Sequence, residues 1–127
     1  MPWNIDAAVQ HLQTKAHINT QGRCARYVRE AIEAGGVTLA RADYAFAYGT
    51  SLVAAGFAEH ASEPTGGYVK GDVAVIGTYT GNTAGHMQMY DGSVWISDFK
   101  QREFWPGPGY RQARPSFKIY RYPAATR

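Results

Sequence analysis

Two residues carry the chemistry this chain can be expected to do. One is Cys24, the only cysteine, and the other is His86, which directly follows Gly85. A thiol attacks an amide carbon only as its thiolate. Residues 19–23, Asn-Thr-Gln-Gly-Arg, form a turn-rich stretch, after which Tyr27, Val28, Ala31 and Ile32 recur on one helical face. Cys24 is therefore expected at a helix start, just past a glycine turn. There the partial positive charge of the helix end lowers a thiol pKa, and free N–H groups can hold a developing oxyanion. Gln21 and Asn19 are candidates for an added side-chain donor, though nothing in the spacing selects them. A histidine beside the thiol would take its proton and later return it to the leaving amine. Each residue alone is weak evidence, because a lone helical cysteine is usually a small buried hydrophobe and a strand histidine is often structural.

A third residue would fix the imidazole. Residues His86 to Tyr90, the Asp91-Gly92 turn and residues Val94 to Phe99 read as a hairpin. A two-residue loop sets His86 opposite Ser97. A three-residue loop sets it opposite Asp98. A carboxylate is the better partner for a histidine that must become cationic, so Asp98 in the second register is the expectation.

The elements that must position these groups follow a simple order. Asn4 caps a helix with Ile5, Ala8, Val9 and Leu12 at helical spacing. The Cys24 helix comes next and stops at Gly35-Gly36. Thr50 or Ser51 caps a short helix closed by Gly56. From Tyr68 the period changes: Lys70-Gly71-Asp72 turns into a buried strand through Val73, Val75 and Ile76. After the hairpin, Pro106 to Gly109 reads as a rigid loop and residues Ser116 to Tyr122 as a last strand. Helices followed by an antiparallel meander make an α+β chain. Residues 1–127 read as one domain, without repeat or linker.

Composition closes off other classes. With 45% hydrophobic and 18% charged residues, the chain has a core to build. Its net charge of +3 is scattered, with no basic stripe for nucleic acid. No apolar run approaches the roughly 20 residues that cross a bilayer. Residues Met1 to Asn4 lack a basic-then-apolar leader, so synthesis in the cytoplasm without a signal peptide is expected. The four histidines and one cysteine show no His-x-x-x-His or Cys-x-x-Cys pair, which argues against a metal, and no cofactor is expected. Trp95 and Trp105 read as core more readily than as groove, and His60 as surface.

Four blocks together carry a resemblance: Gly22 to Val28 around the cysteine, Leu52 to Phe57, Lys70 to Val75, and Gly85 to Tyr90. The chain resembles the papain-like NlpC/P60 and CHAP amidases over roughly residues 20 to 100. Its size, with no wall-binding module, looks most like the type VI secretion amidase effectors. The resemblance implies a papain-like NlpC/P60 fold, N-terminal helices on a small antiparallel sheet, with Cys24 as nucleophile and His86 as base. It implies a peptidoglycan peptide amidase or endopeptidase working through a thioester, exported by a dedicated system to a target-cell periplasm, with a cognate immunity protein as partner. Family members vary in the third residue. A phage-type wall lysin and a non-catalytic papain-like binding module are the competing readings. The second of these would not need a cysteine, a histidine and an acid to converge.

Overall fold

In the computed structural model, which describes residues 3–123, Asn4 starts the first helix as its sequence requires. Met1 and Pro2, read above for a leader, lie outside the described residues. The Asn4 side-chain oxygen accepts the Ala7 N–H at 2.9 Å and so satisfies one free amide of α1 (Ile5–Lys15). Ala8, Val9 and Leu12 of α1 are buried against Val28, Ala31 and Ile32 of α2 (Cys24–Ala34). Each large side chain fully buried here contributes about 1.5–3 kcal/mol. Gly35 ends α2, its amide donating to the Ala31 and Ile32 carbonyls.

Five strands form one antiparallel sheet: β1 (Ala58–His60), β2 (Val73–Ile76), β3 (His86–Tyr90), β4 (Trp95–Ile96) and β5 (Phe117–Arg121), in the order β1-β5-β2-β3-β4. Side chains alternate between two buried faces. Val73, Val75, Met87, Met89 and Tyr120 join the core with α1 and α2. Ala74, Trp95 and Ile119 meet a second cluster with Tyr68, Phe104 and Phe117. The sheet is thus covered on both faces. That is why all four β2 residues are buried, and why an alternating in–out pattern is missing from the sequence.

The hairpin register differs from both expected ones. Tyr90 pairs with Trp95, so residues 91–94 form a four-residue loop. The cause is Asp91, whose Oδ1 accepts the N–H groups of Ser93 and Val94, each at 2.7 Å. That side-chain turn competes with the tight Asp-Gly turn and wins. The strand expected through Phe99 stops at Ile96, where the chain folds back and Ser97 N–H donates to the Phe99 carbonyl at 3.0 Å. Three further elements differ. β1 holds His60, half-buried, where no strand was expected. α3 (Tyr48–Ala54) begins before Thr50, after a 3-10 turn over Ala45–Ala47. Finally, α4 (Pro108–Ala113) occupies part of the expected rigid loop, with Pro108 at its first position, where a missing N–H costs nothing. No helix of the described residues is long and apolar enough to cross a membrane.

Asp72, the acid of the Gly-Asp block, is fully buried and ties β2 to β5. Its oxygens accept Arg121 Nε and Nη2, each at 2.8 Å, and the Val69 N–H at 2.9 Å. The fork-on-fork geometry offsets the desolvation of the carboxylate. Asp72→Ala should lower stability by about 2–3 kcal/mol, less than for a fully buried pair because Arg121 keeps some water contact. Urea unfolding checks this, and a loss under about 0.5 kcal/mol, the size of an ordinary surface change, would contradict it.

Candidate active site

Cys24 is the first residue of α2 and His86 the first of β3, and both line one cleft of about 780 Å³. Two glycines make this possible. Gly22 has φ +71°, a left-handed turn that costs a side-chain-bearing residue energy even though a Cβ there would meet nothing within 4 Å. Gly85 is more constrained. Its φ is +72°, and a Cβ would lie 2.6 Å from the Ile76 carbonyl oxygen and 2.8 Å from Phe46 Cβ. The Gly-His pair of the sequence is thus a packing requirement that sets His86 on the sheet edge of the cleft. Asn82 braces the same turn, its Oδ1 accepting the Ala84 and Gly85 N–H groups at 3.2 and 2.9 Å.

Asp98 is fully buried. Its Oδ2 accepts the backbone N–H groups of Gln21 and Arg23, each at 2.8 Å, and its Oδ1 accepts the Ser97 hydroxyl at 3.4 Å. Its carbonyl accepts the His17 N–H at 2.8 Å. Asp98 therefore grips the turn that delivers Cys24, and its charge is felt by both the thiol and the imidazole. The hydrogen bond to the ring goes elsewhere: His86 Nε2 meets Gln101 Oε1 at 2.9 Å. The tautomer follows from what lies behind Gln101. The Phe104 carbonyl can only accept, and it takes Gln88 Nε2 at 2.9 Å. Gln88 Oε1 then accepts Gln101 Nε2 at 2.9 Å, which leaves Gln101 Oε1 as an acceptor. His86 Nε2 must donate, so Nδ1 carries the free lone pair.

The electrostatics depart from the helix-start expectation. Burial pushes the Cys24 thiol up to about 11, and nearby Asp98 adds to the rise. The backbone N–H groups of Met87, Ala25 and Cys24 offset this only in part. Burial also lowers His86 to about 4, against the opposing pull of Gln101, Asp98 and Gln88. The resting pair is thus neutral thiol and neutral imidazole. Desolvation outweighs the helix end.

Sequence reasoning missed Gln101, Gln88, Asn82 and Tyr110. Tyr110 of α4 lines the cleft, accepts Asn82 Nδ2 at 2.9 Å, and sits with its ring 5.7 Å from that of His86. Burial pushes its hydroxyl up to about 12. A buried glutamine on β3 was the available signal, since a polar residue inside a buried strand needs a partner. Gln21 and Asn19 are not cleft donors: the Gln21 side chain turns back to the Asn19 carbonyl at 2.9 Å. Trp95 is core, and Trp105 lines a separate groove. Arg29 is 8% exposed, and its Nε has no hydrogen-bond partner among the described residues, a condition that costs about 1–3 kcal/mol. Among the described residues no three His, Cys, Asp or Glu side chains group to hold a metal ion.

No family model and no curated protein matches the chain. Solved structures do. A chain of the type VI native effector–immunity complex Tae3–Tai3 from Ralstonia pickettii is 49% identical, with a TM-score of 0.87 over 95% of this chain and 100% of that one. The selenomethionine form of that complex gives 50% identity and a TM-score of 0.82 over 90% and 98%. Ly7917 is 17% identical with a TM-score of 0.57, covering 91% of this chain and 61% of that one, a likeness of fold alone.

The buried imidazole predicts an acid response. An unfolded chain protonates this histidine near 6.5 and the folded protein near 4. Its contribution to stability should be intact above pH 6.5 and be lost as pH falls through that window, by about 3 kcal/mol. Urea midpoints from pH 7 to 4 should show the loss in the wild type and a smaller one in His86→Gln. Nitrogen NMR at pH 7 should find the proton on Nε2, and a proton on Nδ1 would overturn the tautomer.

Proposed function

Since the chain belongs to the Tae3 family of type VI effectors, we propose that it is an antibacterial effector that hydrolyses an amide bond in peptidoglycan peptide, with Cys24 as nucleophile and His86 as base. The observation that carries the reading is the convergence of the only thiol and a buried imidazole in one cleft. The fold is read as papain-like, of the NlpC/P60 and CHAP kind. Delivery is by type VI secretion into a target cell, and a cognate immunity protein is the partner that protects the producer.

The chemistry balances without a cofactor. Substrate fills the cleft and expels water. His86 Nδ1 takes the Cys24 proton as sulfur attacks the carbonyl carbon, so no standing thiolate is needed. The Cys24 and Ala25 N–H groups, at the helix start where no intrahelical acceptor exists, receive the oxyanion. The C–N bond breaks, and the imidazolium returns the proton to the amine. Water then attacks the thioester with His86 again as base, releasing the acid and restoring the thiol. In this scheme Asp98 is a positioning residue that also favours the transient imidazolium through its charge, and Gln101 holds the ring.

Purified muropeptides digested with wild type should yield new amine and acid products by mass. Cys24→Ala should fold normally and lose essentially all of this hydrolysis. A Cys24→Ala protein that keeps near-wild-type activity would sink the reading. Asp98→Ala should cut turnover by a large factor. Ser97→Ala should matter much less, since its hydroxyl only touches Asp98 at 3.4 Å. Chelation by EDTA should leave the rate unchanged, and a loss restored by zinc would mean that His86 is a ligand.

A further inference from the structure

Cys24 lies at one end of a cationic wall. Arg23, Arg26 and Arg29 recur every three residues along the start of α2, and Arg41 comes from the loop after it, all lining the cleft. Arg26 is neutralised by Glu30 at 3.1 Å. Arg23 and Arg41 have no ion-pair partner among the described residues, against one unpaired cleft carboxylate, Asp43.

Arg29 is the unusual member. Its Nη1 donates to Glu33 Oε1 at 3.2 Å, and the other Glu33 oxygen is taken by the Leu39 N–H at 3.3 Å. Glu33 therefore holds the guanidinium through Nη1 alone. That edge, Nε with Nη2, makes no hydrogen bond among the described residues, and its Nε is buried. A side-on guanidinium edge fits a carboxylate with two parallel N–H···O bonds.

We propose that Arg29 and Arg41 form an anion subsite that binds a carboxylate of the peptide substrate and so selects acidic peptides. This rests on the amidase reading for the identity of the bond cut. Arg29 lies five residues beyond Cys24 in α2, about 7.5 Å of helix rise. The buried edge of Arg29 supplies direction and the exposed Arg41 supplies charge.

The test uses Cys24→Ala protein, titrated calorimetrically with a wall stem tetrapeptide and with versions in which its carboxylates are converted to carboxamides one at a time. One conversion should weaken binding about tenfold and the others little. Arg41→Gln in the same background should remove that discrimination and leave the affinity for the amidated peptide unchanged. Arg41→Lys should restore part of it. Arg29→Gln should act in the same direction, and should it fail to fold, the Arg41 pair decides alone. Equal affinity for all the peptides, absence of binding included, overturns the subsite, as does an Arg41→Gln loss that is equal on acidic and amidated peptides. Hydrolysis by wild type is read separately. Discrimination in binding without hydrolysis sinks the amidase and keeps the subsite, and hydrolysis without discrimination does the reverse.

Discussion

The Asp98 carboxylate is the constraint on which the candidate site depends. A fully buried charge must be satisfied, and Asp98 draws two backbone N–H groups, from Gln21 and Arg23, onto one oxygen. Those amides can converge only because Gly22 between them is left-handed. The result fixes where α2 begins, and hence where the thiol points. The same segment is held a second time through the backbone, with His17 N–H on the Asp98 carbonyl and Lys100 N–H on the His17 carbonyl. The chain after β4 therefore folds back at Asp98 instead of continuing the ladder.

The opposite wall of the cleft is ordered by a polar chain inside a buried sheet. Gln88, Gln101 and the Phe104 carbonyl form a sequence of bonds with only one consistent direction, and His86 stands at its end. A neutral amide is a softer partner for the ring than a carboxylate. It orients the imidazole without fixing a positive charge on it, in keeping with the burial that lowers the His86 pKa. Asp98 supplies a negative charge that the ring feels without a hydrogen bond to it. The hydrogen bond to the ring and the negative charge near it thus come from two different residues, Gln101 and Asp98.

Polar groups inside the covered sheet find their partners within the fold. Both faces of β2 and β3 are covered, so Gln88 on β3 and Asp72 just before β2 are satisfied from within, by Gln101 and the Phe104 carbonyl and by Arg121. Such networks specify register as well as stability, since a one-residue slip would bury each of these groups without its partner.

The sequence by itself determined the helix that begins at Cys24, the helix capped by Asn4, the strand opened by His86 and the α+β order. These rest on local rules: capping, 3.6-residue periodicity, glycine turns and one unpaired thiol type. Cys24 and His86 were legible as candidates because their local settings are visible over a few residues. Only the tertiary structure decided what surrounds them. The Asp91 side-chain turn moved the hairpin register by one residue from the three-residue loop expected, and the local Asp-Gly preference points instead to a two-residue loop. Gln101 reaches His86 across 15 residues and Asp98 reaches Gln21 across 77, distances over which sequence spacing carries no signal. The ionisation of the pair was also beyond sequence, because the helix-end effect is local and favours thiolate, whereas the larger desolvation that opposes it exists only once the core has closed around both groups.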